Sequence, residues 1–439
     1  GRGGRIYFEL YGAGAGAGGE GGGGSALAER PLRLLMLMGL ACPLEGWRAQ
    51  LDFFTGHARG QGWELEPGLR QRVVCCVIDN RGVGRSSVPE DRQDYSMEIM
   101  ADDAISVMDH LGWDTAHIMG HSMGSMVCTR LACMYPGRIN SLTLISTCGG
   151  GLDFLPPRKG LFRMIRFACC SQTVQSRAEF DLRCHFTKRW LRDRVHRDDH
   201  VDSPPRTPED RARTSRRAKW RAAGAALMWA AGSSRKMPAH GDVGLERQTT
   251  PRKDRLFREY IHSALEGTTA QRPEGFKGQL SAVLQHYVTD RDIQTLVEES
   301  FPILLVHGTK DKVISLLAGQ NLARRLGTRA RLLQTYGAHF VHREQAEEVN
   351  MAVQLQLLKA VRRPLRTPSP TASPPTAENC KRRLELEDPG SSSAMTFREF
   401  RSEGSKENLC SVDCRPSSSE PEGARETSEI AILASAARV

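Results

Sequence analysis

A serine, an aspartate and a histidine, met in that order along the chain, carry the chemistry this sequence can do. Ser122 sits in Gly120-His121-Ser122-Met123-Gly124. The stretch before it, Ala116-His117-Ile118-Met119, predicts a short buried strand. The stretch after it, Ser125 to Tyr135, predicts a helix with Met126, Val127, Leu131 and Met134 on its apolar side. Strand, tight glycine-flanked turn, helix is the setting of a nucleophile elbow. The glycines are needed because the serine backbone is strained there and a neighbouring Cβ would clash.

A serine hydroxyl attacks only when a base takes its proton, and the base needs a third group to orient it. Phe301-Pro302-Ile303-Leu304-Leu305-Val306 is a continuous apolar run, long enough for a buried parallel strand. It leads into His307-Gly308-Thr309-Lys310-Asp311-Lys312, which puts Asp311 on the loop at its C-terminal edge. Arg331 to Tyr336 predicts another short strand, with Gly337-Ala338-His339 at its tip. The three groups then gather at one edge of one sheet, with His339 as general base for Ser122 and Asp311 orienting its imidazole. His342 competes with His339 but lacks the Gly-Ala lead-in that lets backbone bend behind a strand. Asp292 lies upstream of the strand, at the wrong edge, and His121 reads as a scaffold side chain of the elbow.

The elements that must position these residues carry further motifs. They are Leu37-Met38-Gly39-Leu40, Ile78-Asp79-Asn80-Arg81-Gly82-Val83-Gly84-Arg85-Ser86-Ser87, Met108-Asp109-His110-Leu111-Gly112-Trp113, and the elbow running on through Pro136-Gly137-Arg138 to Ile145. With His307-Gly308 and the stretch from Gly337 to Glu344, they resemble the α/β-hydrolase superfamily, and closely its plant-type members of mostly undefined substrate. The resemblance covers about residues 30 to 190 and 260 to 360, insertions apart. It implies a mostly parallel, doubly wound sheet with a helical cap inserted after the sixth strand. It also places Met38-Gly39-Leu40 where the family has its oxyanion loop, with the backbone N–H groups of Leu40 and Met123 as oxyanion donors. Met38 stands where histidine is commoner, a change the plant-type members share. A serine at the elbow argues against the epoxide hydrolases and haloalkane dehalogenases of this fold, which attack with a carboxylate. No metal or organic cofactor is implied.

Read beside that resemblance, Leu34 to Met38 and Val73 to Ile78 predict buried strands. Asp79 to Ser87 is a tight glycine-punctuated loop, with Asp79 and Arg81 expected as a buried pair that pins it.

The chain has 439 residues, enough for a core of about 250 plus additions. No apolar run approaches the ~18–20 residues of a membrane span. The chain begins with Gly rather than Met, so the lack of a visible secretory signal says nothing about targeting. Of 12 cysteines, Cys75 and Cys76 fall in a strand, Cys128 and Cys133 in a helix, and Cys169 and Cys170 are adjacent; none forms a C-x-x-C pair. They read as small buried apolar residues of a reducing compartment, cytoplasmic or organellar. The net charge of +10 is concentrated in residues 191–260, with 17 Lys plus Arg against 10 Asp plus Glu. A solvated basic insertion is expected there, not a nucleic-acid or anionic-membrane surface.

The predicted organisation is core over 1–148, cap over 149–300, core again over 301–362 and a disordered Ser, Pro, Glu and Arg-rich tail over 363–439. Gly12 to Gly24 predicts a flexible loop, and Ser203 to Arg255 a basic low-complexity insertion (about residues 200–255) within the cap. Leu161 to Ala168 and Gly278 to Thr289 show helical spacing; helices there would roof the serine and shape an apolar pocket. Thr367-Pro368-Ser369-Pro370 could accept proline-directed phosphorylation, and the protein partners of the tail are not legible.

The expected function is a serine hydrolase acting on a small-molecule acyl substrate (a carboxylic ester, thioester or lactone), with acyl transfer to another acceptor left open. The alternative is a small-molecule receptor or regulatory protein of slow turnover, its insertion and tail serving as partner-binding elements. Plant hormone receptors on this fold keep an intact triad, and ligand-dependent partner capture without turnover separates the two readings.

Overall fold

Runs of apolar and β-branched residues, each bounded by turn formers, become the strands of the sheet that carries the site. The structure, a computed structural model, describes residues 4–12, 31–55, 72–154, 173–196, 249–266, 271–361 and 409–414. In chain order the strands are β1 (Gly4–Tyr11), β2 (Leu32–Leu37), β3 (Val73–Ile78), β4 (Ala116–His121), β5 (Ile139–Ile145), β6 (Arg194–His196), β7 (Thr249–Pro251), β8 (Ile303–Gly308), β9 (Ala330–Thr335) and β10 (Leu409–Cys414). The sheet runs β10-β1-β3-β2-β4-β5-β8-β9, while β6 and β7 pair apart from it. From β3 to β9 all neighbours are parallel; β1 joins β3, and β10 joins β1, antiparallel.

A parallel sheet has both faces covered, so its strands read as unbroken apolar runs such as Val73-Val74-Cys75-Cys76-Val77-Ile78. The two-residue period still divides them. Leu35, Leu37, Cys76 and Ile118 join a core with residues of helices Met97–His110, Met123–Met134 and Leu316–Leu326. Leu34, Met36, Cys75 and Val77 join another with residues of helices Arg48–Phe54 and Ala346–Val361. This is the α/β-hydrolase architecture, a doubly wound sheet.

β2 lies between β3 and β4, so the chain reverses its direction of travel across the sheet at this point. Ligands of open α/β sheets bind outside the carboxyl ends of the strands at such a reversal. The register keeps those ends level, with Leu37 opposite Gly120, His121 opposite Ile145, and Ile145 opposite Val306. Whatever follows β2, β4, β5, β8 and β9 therefore emerges along one edge.

Several expected boundaries shift. β2 begins two residues before Leu34 and ends at Leu37. The elbow helix starts at Met123, directly after the serine, and Met134 at its last turn is exposed instead of lying on the buried side. Among the described residues β5, which leads into the cap, is fifth in chain order rather than sixth. The cap helix expected over Gly278 to Thr289 is Pro273–Gln285, because Pro273 suits a first turn and Thr289 caps the next helix, Asp290–Glu298.

The expected low-complexity insertion ends earlier than Arg255. β7 pairs with β6, His196 opposite Thr249, and the helix Arg252–Glu266 follows at once. Arg252 is buried, its guanidinium 4.6 Å from the Trp190 ring centroid and 3.1 Å from Asp193. In the tail, expected to be disordered throughout, Leu409–Cys414 adds as β10 to the sheet edge. Leu161 to Ala168, Cys169-Cys170, Ser203 to Gln248, the loop beyond Gly12 and Thr367 to Pro370 lie outside the described residues. Among the described residues no helix is long and apolar enough to cross a membrane. Cys75, Cys76, Cys128, Cys148 and Cys184 are buried and free, and Cys42 and Cys133 are half-buried and free.

Candidate active site

Ser122 is the single residue between β4 and the helix Met123–Met134, with φ 53° and ψ −120°. An L-residue held in that region stores strain, and it needs surroundings that over-determine it. The Ser122 amide donates to Ile145 O at 2.8 Å, and Ser122 O accepts from the amides of Ser125 (2.9 Å) and Met126 (3.2 Å). The Ser125 hydroxyl lies 2.7 Å from Gly120 O and 2.9 Å from Ile145 O. A Cβ on Gly120 would lie 2.4 Å from Gly124 O, and one on Gly124 2.1 Å from Leu37 O. Both glycines are therefore imposed by close backbone approach.

The three residues expected to work together do meet. His339 Nε2 is 2.9 Å from Ser122 Oγ, and His339 Nδ1 is 2.8 Å from Asp311 Oδ2. The acceptor at Asp311 assigns the ring proton to Nδ1 and leaves Nε2 to accept from the serine hydroxyl. Asp311 Oδ1 accepts from the amides of Val313 (2.8 Å) and Ile314 (3.0 Å). Burial pushes the Asp311 carboxyl up, but His339, His307 and these hydrogen bonds outweigh it and hold its pKa below the usual range. Asp311 is thus a fixed, ionised acceptor.

The other candidates are accounted for. His121 Nε2 donates to the carbonyl of His339 at 3.0 Å, and burial followed by neighbouring imidazoles holds His121 neutral. His342 is fully buried behind it, with ring centroids 4.5 Å from His121 and 5.0 Å from Trp47, and makes no hydrogen bond to Ser122. Asp292 accepts from the amide of Thr289, the cap of its own helix, at 2.8 Å and binds Arg130 at 3.0 Å. Asp79 and Arg81 are both buried, but they are not a pair. Asp79 accepts from the amides of Leu44 (2.8 Å) and Arg85 (3.0 Å), whereas Arg81 forks onto Asp103 with two contacts of 2.6 Å. Each pins the loop to a different neighbour, Asp79 to the backbone of Leu44 and Arg85, and Arg81 to the helix Met97–His110 that carries Asp103.

Gly39 packs beneath the serine: a Cβ there would lie 3.0 Å from Ser122 Cβ. Leu40 and Ala41 are the middle residues of a turn closed by Cys42 N donating to Gly39 O at 3.2 Å. Met123 follows Ser122 in the chain, and Leu40 follows Gly39, the residue beneath the serine, as the first corner of this turn.

Four residues with no local pattern complete the site. Ser146 (φ 52°) donates from its hydroxyl to His339 O at 2.8 Å, beside the bond from His121. Glu344 accepts from Ala338 N at 2.8 Å, and from the amide and hydroxyl of Thr187 in the cap. Gln279, also in the cap, accepts from Ala41 N at 3.0 Å. Lys312 Nζ donates to Arg183 O (2.7 Å) and Phe340 N to His185 O (3.0 Å), so the cap touches the loops of both Asp311 and His339. No sequence signal marks Ser146, Thr187 or Gln279; Glu344 would have stood out only as a carboxylate that turns out buried. Among the described residues no three His, Cys, Asp or Glu side chains converge as metal ligands do.

The family model described as alpha/beta hydrolase fold matches residues 56–164, which include the elbow. Bifunctional epoxide hydrolase 2 of Sus scrofa is 26% identical over 128 residues, 28% of this chain and 20% of that protein. A protein assigned as a carbamate hydrolase, RutD, from Caulobacter vibrioides is 40% identical over 78 residues, 18% of this chain and 29% of that protein. Each match therefore spans less than a third of the relative's length. The solved enol-lactonase of Burkholderia xenovorans LB400 aligns with 81% of this chain and 96% of its own, at 16% identity and a TM-score of 0.49.

Proposed function

We propose that this chain, which belongs to the α/β-hydrolase superfamily, is a serine hydrolase that cleaves a carboxylic ester, thioester or lactone. One observation carries the reading: Ser122 Oγ, His339 and Asp311 Oδ2 form a continuous relay with links of 2.9 and 2.8 Å, starting from a backbone strained at φ 53°. Epoxide hydrolases attack with a carboxylate, and the elbow here holds a hydroxyl.

In this reading Ser122 Oγ attacks the acyl carbon while its proton passes to His339 Nε2. Asp311 stabilises the imidazolium without taking its proton, and the amides of Leu40 and Met123 bind the oxyanion. Collapse of the tetrahedral intermediate expels the alcohol, thiol or ring oxygen, which takes the proton from His339. Water then enters, gives its proton to His339, and releases the acid with Ser122 restored. In this reading the acyl group binds beneath the cap, a placement supported by the cap's contacts with the loops of both Asp311 and His339.

The test is labelling of purified protein with a fluorophosphonate beside Ser122→Ala. Label on the wild type that is lost in the variant supports an activated serine. Folded wild type that takes no label overturns the reading.

A further inference from the structure

The turn beside the serine is unusual for its residue type. Ala41 has φ 60° while Leu40 does not share a positive φ, and Cys42 N closes the turn onto Gly39 O. That is a type II turn, whose third position favours glycine and disfavours alanine. Left to itself, an alanine there relaxes towards the commoner type I, in which the Leu40–Ala41 peptide is turned over and the Ala41 N–H points elsewhere.

What opposes that relaxation comes from the cap. Gln279 is 0% exposed, its Oε1 accepts from Ala41 N at 3.0 Å, and its Nε2 donates to Arg81 O at 2.8 Å. Gln271 Nε2 donates to the same Oε1 at 2.7 Å and so fixes which end of the amide faces the turn. The helix bearing Gln279 reaches this depth because its contact face is bare. A Cβ on Gly275 would lie 2.1 Å from Gly82 O, and one on Gly278 2.3 Å from the Tyr95 ring. Gly275, Gly278 and Gln279 share that face by helical spacing.

We propose that Gln279 is a positioning residue for the proposed oxyanion turn: a cap side chain holds Ala41 in its left-handed conformation, keeps the Leu40–Ala41 peptide from turning over, and so fixes the turn whose first corner, Leu40, offers its amide to the reacting carbonyl oxygen. The proposal rests on the serine-hydrolase reading. It makes the cap part of the catalytic geometry as well as a roof.

The experiment measures the second-order rate of Ser122 phosphonylation by a fluorophosphonate, whose phosphonyl oxygen must occupy the oxyanion position, with thermal midpoints as a check on folding. The variants are Gln279→Met, Ala41→Gly and the two combined. Gln279→Met is expected to label about 10-fold or more slowly, the scale of a misplaced catalytic group. Adding Ala41→Gly should return the rate to within about 3-fold of wild type, because glycine adopts the type II turn unaided. A purely structural glutamine would not be rescued by a glycine in a different segment. Gln279→Met at the wild-type rate, or a slow variant that Ala41→Gly does not recover, overturns the proposal. If Gln279→Met does not fold, Gln279→Asn, which shortens the reach and keeps the amide, answers with the same two outcomes. A folded wild type that takes no label sinks the hydrolase reading itself, and this inference with it.

Discussion

Thr187 and Glu344 are joined twice: the Thr187 amide donates to Glu344 Oε1 at 3.0 Å and the Thr187 hydroxyl donates to Oε2. The same Oε1 accepts from Ala338 N, the residue before His339. A buried carboxylate therefore fastens the cap to the loop of the general base. Thr187→Val keeps the shape and removes one donor, leaving a buried charged oxygen short of a partner. It should lower unfolding free energy by about 1–3 kcal/mol in urea titration, with Thr187→Ser recovering most of the loss. An unchanged midpoint would remove the clamp from any account of stability.

Ser122 is held in a region that costs an L-residue about 1–3 kcal/mol. Ser122→Gly should therefore take no fluorophosphonate and yet unfold at higher urea, by about 1 kcal/mol once glycine's extra unfolded-state freedom is subtracted. Ser122→Ala should be equally unreactive without the gain. Equal stability of the two variants would mean the elbow is not strained in solution.

Arg81 and Asp103 make a bidentate pair with side chains only 3% and 6% exposed. Removing one partner leaves the other charged and buried, so Asp103→Ala should cost about 3–5 kcal/mol. The folded fraction should still label at the wild-type rate, since the Arg81 and Asp103 side chains touch neither the triad nor Gln279, which binds the Arg81 backbone carbonyl instead. Slower labelling per folded molecule would assign the pair a role in the site.

Buried histidines should make the protein acid-sensitive. Burial lowers the pKa of His117 and of His286 to about 4, and holds His121 and His342 well below their usual value. In each case the folded pKa lies below the unfolded one, so the unfolded chain takes up protons first as pH falls. The stability is full above about pH 6.5 and is lost progressively towards the folded values, by about 1.4 kcal/mol per excluded imidazole at pH 5.5. Asp311, also depressed, adds a second loss only below about pH 4. Urea midpoints at pH 7.5 and 5.5 test this; equal midpoints would show that these rings are hydrated.

The Ser122, Asp311 and His339 positions were legible because each is written locally, as a strand followed by a characteristic turn. β3 was legible to the residue, since both faces of a central strand must be apolar. Partnerships across the chain were not. Asp79 and Arg81 look like a pair because they are close in sequence, yet Asp103 reaches Arg81 only once a helix has packed beside the loop. Gln279 and Glu344 act through hydrogen bonds to segments far apart in the chain, and no periodicity records those. Arg252, read as part of a low-complexity run, is a buried helix start because Trp190 and Asp193 receive it.

The pairing of β6 with β7 has a consequence for how this protein can change over generations. His196 faces Thr249, so the chain returns to the place where it left, and residues 197–248 form a detour whose entrance and exit are stapled together. Doubling such a detour costs only about 0.6 kcal/mol in closure entropy. Lineages can therefore lengthen, shorten or rewrite that stretch while the cap, the sheet and the serine beneath them keep their register, which makes it the natural place for this chain to acquire something its relatives lack.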